Sequence, residues 1–202
     1  MATSKGFDTN TRISRDLAAK FRHAGYAFCG RYLAHAESPL TLAEADDIAY
    51  GGMYLVSIYE RGFPTKASYF TGGQGQRDAA TALAAARACR QPTGTPIYFT
   101  VDFDATQEDA AGAITAYFQM VHAALRPAGY LVGVYGSSLV LKQLQADGVA
   151  EKFWHAFPHG WGSGVSFAAP DLLQTSNDST ALGVSVDTDE SYGNAGGWHP
   201  AA

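Results

Sequence analysis

Short apolar runs alternate with stretches of helical periodicity along most of this chain, and glycine, proline or polar turn residues bound each run. The runs predict strands at 6–9, 27–33, 53–60, 96–104, 130–136, 153–157, 171–175 and 183–188. Helices are predicted at 11–24, 42–50 and 78–90, the last rich in alanine, a strong helix former. A further helix at 107–125 carries Ile114, Tyr117, Phe118, Val121 and Leu125 at helical spacing, and Pro127 to Gly129 stop it.

This alternation predicts an α/β fold with a largely parallel sheet, and eight strand units suggest a sheet closed on itself. A full (β/α)8 barrel takes about 250 residues, more than the 202 available. The shortfall falls in the last third, where 160–164 and 177–180 leave no room for long helices. The expected architecture is therefore a modified TIM-like barrel with late helices shortened or missing. An open doubly wound sheet is the alternative, but Asp8-Thr9-Asn10-Thr11 after the first strand is no nucleotide loop. Gly72-Gly73-Gln74-Gly75 lacks the lysine of a phosphate cradle and reads as a turn that opens a helix. No linker or repeat divides the chain, so 1–202 reads as one domain, with 193–202 as a surface tail.

Composition narrows the partners. A net charge of −5 without a basic stripe argues against nucleic acid. No apolar run approaches the ~20 residues that span a bilayer. The first five residues lead straight into a strand, so no cleaved leader is expected; the protein would stay in the cytoplasm or be exported by a leaderless route. Cys29 and Cys89 are expected as free thiols, and neither cysteine nor histidine spacing fits zinc. No cofactor is implied, and a monomer is expected.

The informative residues are acidic. Asp8 ends the first strand, Glu60 the third, Asp102 and Asp104 the fourth, and Asp187 the last. In the fourth, Ile97, Phe99, Val101 and Phe103 share one face; Tyr98, Thr100, Asp102 and Asp104 share the other, expected to point into the barrel. Any single aspartate after a strand can be a helix cap, a role open to Asp8 and Asp104, and Asp189 beside Glu190 reads as a solvated turn residue. Acids at the ends of four strands fit acid–base chemistry on an acetal better than capping does, and barrel enzymes keep their chemistry at those ends. The same cluster could alternatively hold Mg²⁺ or Ca²⁺.

Gly6-Phe7-Asp8-Thr9, Gly30-Arg31-Tyr32-Leu33, Val101-Asp102-Phe103-Asp104, Gly133-Val134-Tyr135-Gly136-Ser137, Phe153-Trp154-His155-Ala156, Leu173-Gln174 and Val186-Asp187 occur in an order that resembles the glycoside-hydrolase-like domains of DUF1906 type with a mycobacterial founding member. These domains are related to the family 25 lysozymes, and the resemblance spans roughly residues 5 to 190. It implies a lysozyme-like glycosidase acting on bacterial peptidoglycan, with Asp8 and Asp102 in the positions of lysozyme aspartates. Asp104 stands where those enzymes have their glutamate acid, one methylene shorter, and Glu60 is the residue that could replace it. An N-acetyl group of the substrate could serve as the nucleophile. Tyr32, Tyr135 and Trp154 are expected to stack on sugar, with Arg31, Gln174 and Asp187 binding its polar groups. Trp161 and Trp198 have no place in these motifs. The alternatives are a carbohydrate-binding module on a decayed hydrolase barrel, and a metal-dependent hydrolase.

Overall fold

A computed structural model describes residues 3–157, 160–162 and 164–201. Met1, Ala2, Pro158, His159, Ser163 and Ala202 lie outside the described residues; the first two belong to the leading segment, Ser163 to the glycine-rich loop and Ala202 to the tail of the sequence reading.

All eight expected strands form, and they close into a barrel in sequence order. They are β1 (Thr3–Asp8), β2 (Tyr26–Tyr32), β3 (Tyr54–Tyr59), β4 (Pro96–Thr100), β5 (Leu131–Gly136), β6 (Lys152–His155), β7 (Leu172–Ala181) and β8 (Val184–Tyr192). Strands β1 to β7 run parallel, whereas β8 is antiparallel to both β7 and β1. The reversal follows from the two-residue turn Leu182-Gly183, whose φ angles of 50° and 81° suit a tight hairpin and leave no space for a crossover helix.

Helices cover the first five crossings: α1 (Arg15–His23), α2 (Leu42–Tyr50), α3 (Gln74–Ala88), α4 (Gln107–Asp109) with α5 (Thr115–Leu125), and α6 (Ser138–Ala146). A π turn at Ala110–Ile114 joins α4 to α5. Ser14, Thr41, Thr106 and Ser137 cap their helices through side-chain oxygens, so neither Asp8 nor Asp104 serves as a cap. Gly72 and Gly73, both at positive φ, turn the chain into α3 as expected. Helix α6 was not anticipated, and among the described residues no helix follows β6 or β7. No described helix is long and apolar enough to cross a membrane.

Two apolar layers result. The outer one packs Phe7, Cys29, Leu55, Phe99, Val101 and Val134 beneath the helices. The inner one, Phe28, Val56, Ile58, Tyr98, Trp154, Leu172 and Ala195, fills the lower barrel. Glycines make room for it: a Cβ on Gly6 would collide with the Phe28 ring, and one on Gly133 would meet Tyr98 at 2.6 Å. Cys29 and Cys89 are free and buried.

The last residues are not the surface tail that their composition suggested. Tyr98 donates to the Ala195 carbonyl at 2.9 Å, Trp198 pairs with Leu55, and the Trp198 indole donates to Ser57 Oγ at 3.0 Å. Trp198 is 2% exposed, because this segment crosses the bottom of the barrel and closes it. Trp198→Ala is expected to cost ~3–5 kcal/mol, read as a lower denaturation midpoint in urea.

Candidate functional site

Above the aromatic floor the barrel opens into a hollow of about 220 Å³ at the carboxyl ends of the strands. Its walls carry Asp8, Tyr32, Glu60, Asp102, Tyr135, Trp154, Gln174 and Asp187, eight of the ten residues proposed from sequence. A neighbouring hollow of about 230 Å³ shares Asp8, Tyr32, Glu60, Asp178 and Asp187 and adds Thr9, Asn10 and His35. The two form one cleft whose shared walls are largely acidic, and among the described residues no lysine or arginine lines either part.

Strand alternation places these groups. Gly6 and Asp8 face inward on β1, as do Gly30 and Tyr32 on β2, and Gly30 is required because a Cβ there would sit 2.7 Å from that of Asp8. Tyr32 donates to one Asp8 oxygen at 3.1 Å, and Gln174 Nε2 donates to the other at 3.2 Å. Gln174 also reaches Asp187 at 3.2 Å and accepts from Tyr135 at 2.8 Å. Asp187 is held further by the Asp178 backbone N–H at 2.8 Å, a contact that the long β7–β8 hairpin provides.

Glu60 and Asp102 differ from these. Among the described residues neither carboxyl has a hydrogen-bond partner, so both are free to meet a ligand. Their backbones are nevertheless fixed. Asp102 N–H donates to the Pro64 carbonyl at 3.0 Å, tying the β3 loop to the β4 loop. Tyr59, beside Glu60, donates to Asp78, whose two oxygens also accept from Tyr69, Tyr117 and Gln74. That knot of three phenols and an amide on one carboxylate anchors the wall that carries Glu60.

Burial and like charge raise the proton affinity of the whole group. Asp8 is pushed up to about 7, first by burial and then by Asp187, against the lowering effect of Tyr32 and Gln174. Glu60 is also pushed up to about 7, by burial and then by the charges of Asp102 and Asp187. Burial raises Asp102 and Asp187 too. Proton holders of this kind at neutral pH suit general acid–base work. Among the described residues, no three His, Cys, Asp or Glu side chains converge closely enough to bind a metal ion.

Four sequence expectations fail, each for a geometric reason. Trp154, expected to stack on sugar, is 1% exposed and packed edge-on to Tyr98 and Tyr135, so its ring faces are covered by protein. Arg31 faces outward, not into the cleft: with Cys29 and Leu33 it lies on the other face of β2, fully buried, with Nε 2.8 Å from Glu44 and NH1 donating to the Thr9 carbonyl at 2.6 Å. Asp104 does not line the cleft, because β4 ends at Thr100 and the turn directs Asp104 to the Gly162 N–H at 2.8 Å. Asp189 is not a solvated turn residue. Strand β8 continues to Tyr192, and Asp189 is 1% exposed, accepting from the Trp154 indole at 3.1 Å. Thr100 faces inward as alternation predicts, and its hydroxyl lacks a partner at the cleft wall; the sequence reading missed Asn177 and Asp178 at the rim.

Residues 19–198 match the family model described as the Rv2525c-like, glycoside hydrolase-like domain; Asp8 lies before that stretch and the other cleft carboxylates lie within it. The uncharacterized protein YbfG of Bacillus subtilis is 31% identical over 185 residues, 84% of this chain, and this chain spans only 25% of YbfG. A Mycobacterium tuberculosis protein named, provisionally, as the peptidoglycan hydrolase Rv2525c is 28% identical over 86% of this chain and 75% of its own length. The structure of that Tat-secreted protein with L-tartrate superposes with a TM-score of 0.84, at 25% identity over 96% of this chain and 98% of that one. The bacterial lysozyme of Streptomyces coelicolor shares the fold, with a TM-score of 0.60 and 13% identity over 97% of this chain and 98% of that one.

Two outcomes test the geometry. A raised pKa in the folded state makes stability greatest below the unfolded value and lost as pH climbs through the folded one. Removing the Glu60 charge should therefore leave the melting temperature unchanged near about pH 4 and raise it by roughly 3–8 °C near about pH 8, measured for Glu60→Gln by thermal unfolding. Glu44→Gln should strip Arg31 of its counter-charge and destabilise by ~3–5 kcal/mol, read as a lower denaturation midpoint in urea.

Proposed function

This chain belongs to the Rv2525c-like family of glycoside hydrolase-like domains, and from that premise we propose that it hydrolyses the N-acetylated glycan of bacterial peptidoglycan. Glu60 is the proton donor in this reading. Its protonated carboxyl meets the glycosidic oxygen, and the ionised Asp102 stabilises the positive charge that develops at the anomeric carbon. Asp8, oriented by Tyr32 and Gln174, holds the opposite side of the reacting sugar. Tyr135 offers a ring face to sugar C–H groups and Asp187 a polar contact, while the buried Trp154 and the fully hydrogen-bonded Gln174 hold their neighbours in place from beneath.

The observation that carries the reading is the pair of unbonded carboxyls in a cleft without a cation. Glu60 has the proton affinity of an acid at neutral pH and the reach that Asp104, turned toward Gly162, lacks. The two adjoining hollows share these carboxylates and together suit a substrate longer than a single sugar. The name of the mycobacterial relative supports the choice of polymer. A second reading rests on one observation, the absence of Asp104 from the cleft: a barrel that binds the glycan without cleaving it.

The test is release of new reducing ends from purified peptidoglycan and from chitin-type oligomers. Wild type should release them, and Glu60→Gln and Asp102→Asn should each slow release by roughly 10²–10⁴-fold with oligomer affinity kept within a few-fold. Because the acid must carry its proton, kcat/KM should fall as pH rises through about 7. Oligomer binding without any product from wild type would establish the non-cleaving reading instead.

A further inference from the structure

We propose that Asp189 is a neutral carboxylic acid in the working protein and shares its proton with Asp8, making it the positioning residue that sets the charge and orientation of the cleft carboxylate. This rests on the acid–base reading of the cleft and extends it one layer beneath the surface that substrate touches.

The geometry is unusual for an aspartate. Asp189 projects inward from β8 between Asp187 and Ser191, below the cleft, and lines neither hollow. Its Oδ1 accepts from the Trp154 indole at 3.1 Å, and its Oδ2, shut off from solvent, has no partner. An ionised carboxylate with one oxygen stranded away from water is expensive. Protonation turns that stranded acceptor into a donor, which then needs an acceptor of its own.

The strand register supplies one. Asp189 lies opposite Gly6 and Asp187 opposite Asp8, so the inward residue facing Asp189 on β1 has no side chain, and Asp8 is its diagonal neighbour. Asp8 takes one donor on each oxygen and keeps lone pairs for another.

The other groups around Asp189 leave the proton little alternative. Asp8 faces it diagonally from β1, Asp187 lies on its own strand and Tyr135 stands on β5, all of them acids or neutral phenols, and Cys29 of β2 lies on that strand's outward face. The guanidinium of the neighbouring strand, Arg31, is turned outward onto Glu44. Burial and then the charge of Asp8 hold the Asp189 carboxyl well above the usual carboxylate range, with the Trp154 N–H pulling the other way. Two carboxyls coupled this closely titrate as a pair that keeps one proton through the neutral range.

The test is infrared spectroscopy of the full chain with its aspartates labelled by ¹³C at the side-chain carboxyl, which separates them from Glu60. Wild type should show a protonated aspartic acid band that persists near about pH 8. Asp189→Asn should abolish the band, Asp187→Asn should retain it, and Asp8→Asn should move its loss down by about one pH unit or more. Absence of the band from wild type, its survival in Asp189→Asn, or an unmoved midpoint in Asp8→Asn would overturn the assignment. Should Asp189→Asn fail to fold, the Asp8→Asn midpoint decides alone. The measurement needs no turnover, so a protein that cleaves nothing but shows the band sinks the hydrolase reading and leaves this one standing.

Discussion

Negative charge without a counter-ion is the constraint on which the upper barrel depends. Asp8, Glu60, Asp102, Asp178 and Asp187 line the cleft, Asp189 lies beneath it, and no lysine or arginine shares these walls. Full ionisation in so small a volume would set like charges against one another in a poorly screened space. The protein meets this in two ways: hydrogen-bond donors converge on Asp8 and Asp187, and Glu60 and Asp189 hold protons more tightly than free carboxyls do. The site is therefore a proton store before it is anything else, and a ligand that suits it brings hydroxyl and amide groups, not further anions.

Such a cup needs a floor that does not yield. Relaxation around an acidic cluster would let in water, raise the local dielectric and restore ordinary carboxylate behaviour. The floor is built from Phe28, Tyr98 and Trp154 packed against inward glycines, with the chain terminus closing the barrel below. Trp154 belongs to both halves. Its ring stands edge-on to Tyr98 and Tyr135, and its indole N–H serves Asp189. One side chain thus couples the packing of the lower barrel to the electrostatics of the upper.

Strand alternation made most of this legible in the sequence, and it failed where it was not carried through or was carried past the end of a strand. On β4 it separated the outward Phe99 and Val101 from the inward Tyr98, Thr100 and Asp102 correctly. Applied to β2, the same rule sends Arg31 outward with Cys29 and Leu33; a motif resemblance, which is blind to the face of a strand, put Arg31 in the cleft instead. On β8, ending the strand at residue 188 hid the inward series Asp187, Asp189, Ser191. The outward turn of Asp104 follows from where β4 stops, which no local pattern announces. The tail resembled a loose end because glycine and alanine dominate it, yet Trp198 was the sign of a docked segment, since a large aromatic in a terminal stretch normally finds a cover. The antiparallel β8 was encoded in Leu182-Gly183, a spacing too short for any crossover.

The pattern of satisfied and unsatisfied groups supports the proposed hydrolase reading over one of binding alone. A barrel kept only for stability would pair its buried carboxylates, as this one pairs Asp78 with three phenols and an amide. A barrel kept only for binding gains nothing from a carboxyl whose proton affinity matches neutral pH. Glu60 is left without a partner and raised in pKa, a state that lowers stability at neutral pH and persists where function draws on it. Asp104 has been released to hold the Gly162 loop, and a neighbouring strand carries a longer acid facing the same hollow. In the proposed reading the proton donor would stand on the third strand instead of the fourth, which would change the direction from which the proton arrives but keep the separation between a protonated acid and an ionised partner that glycoside cleavage requires.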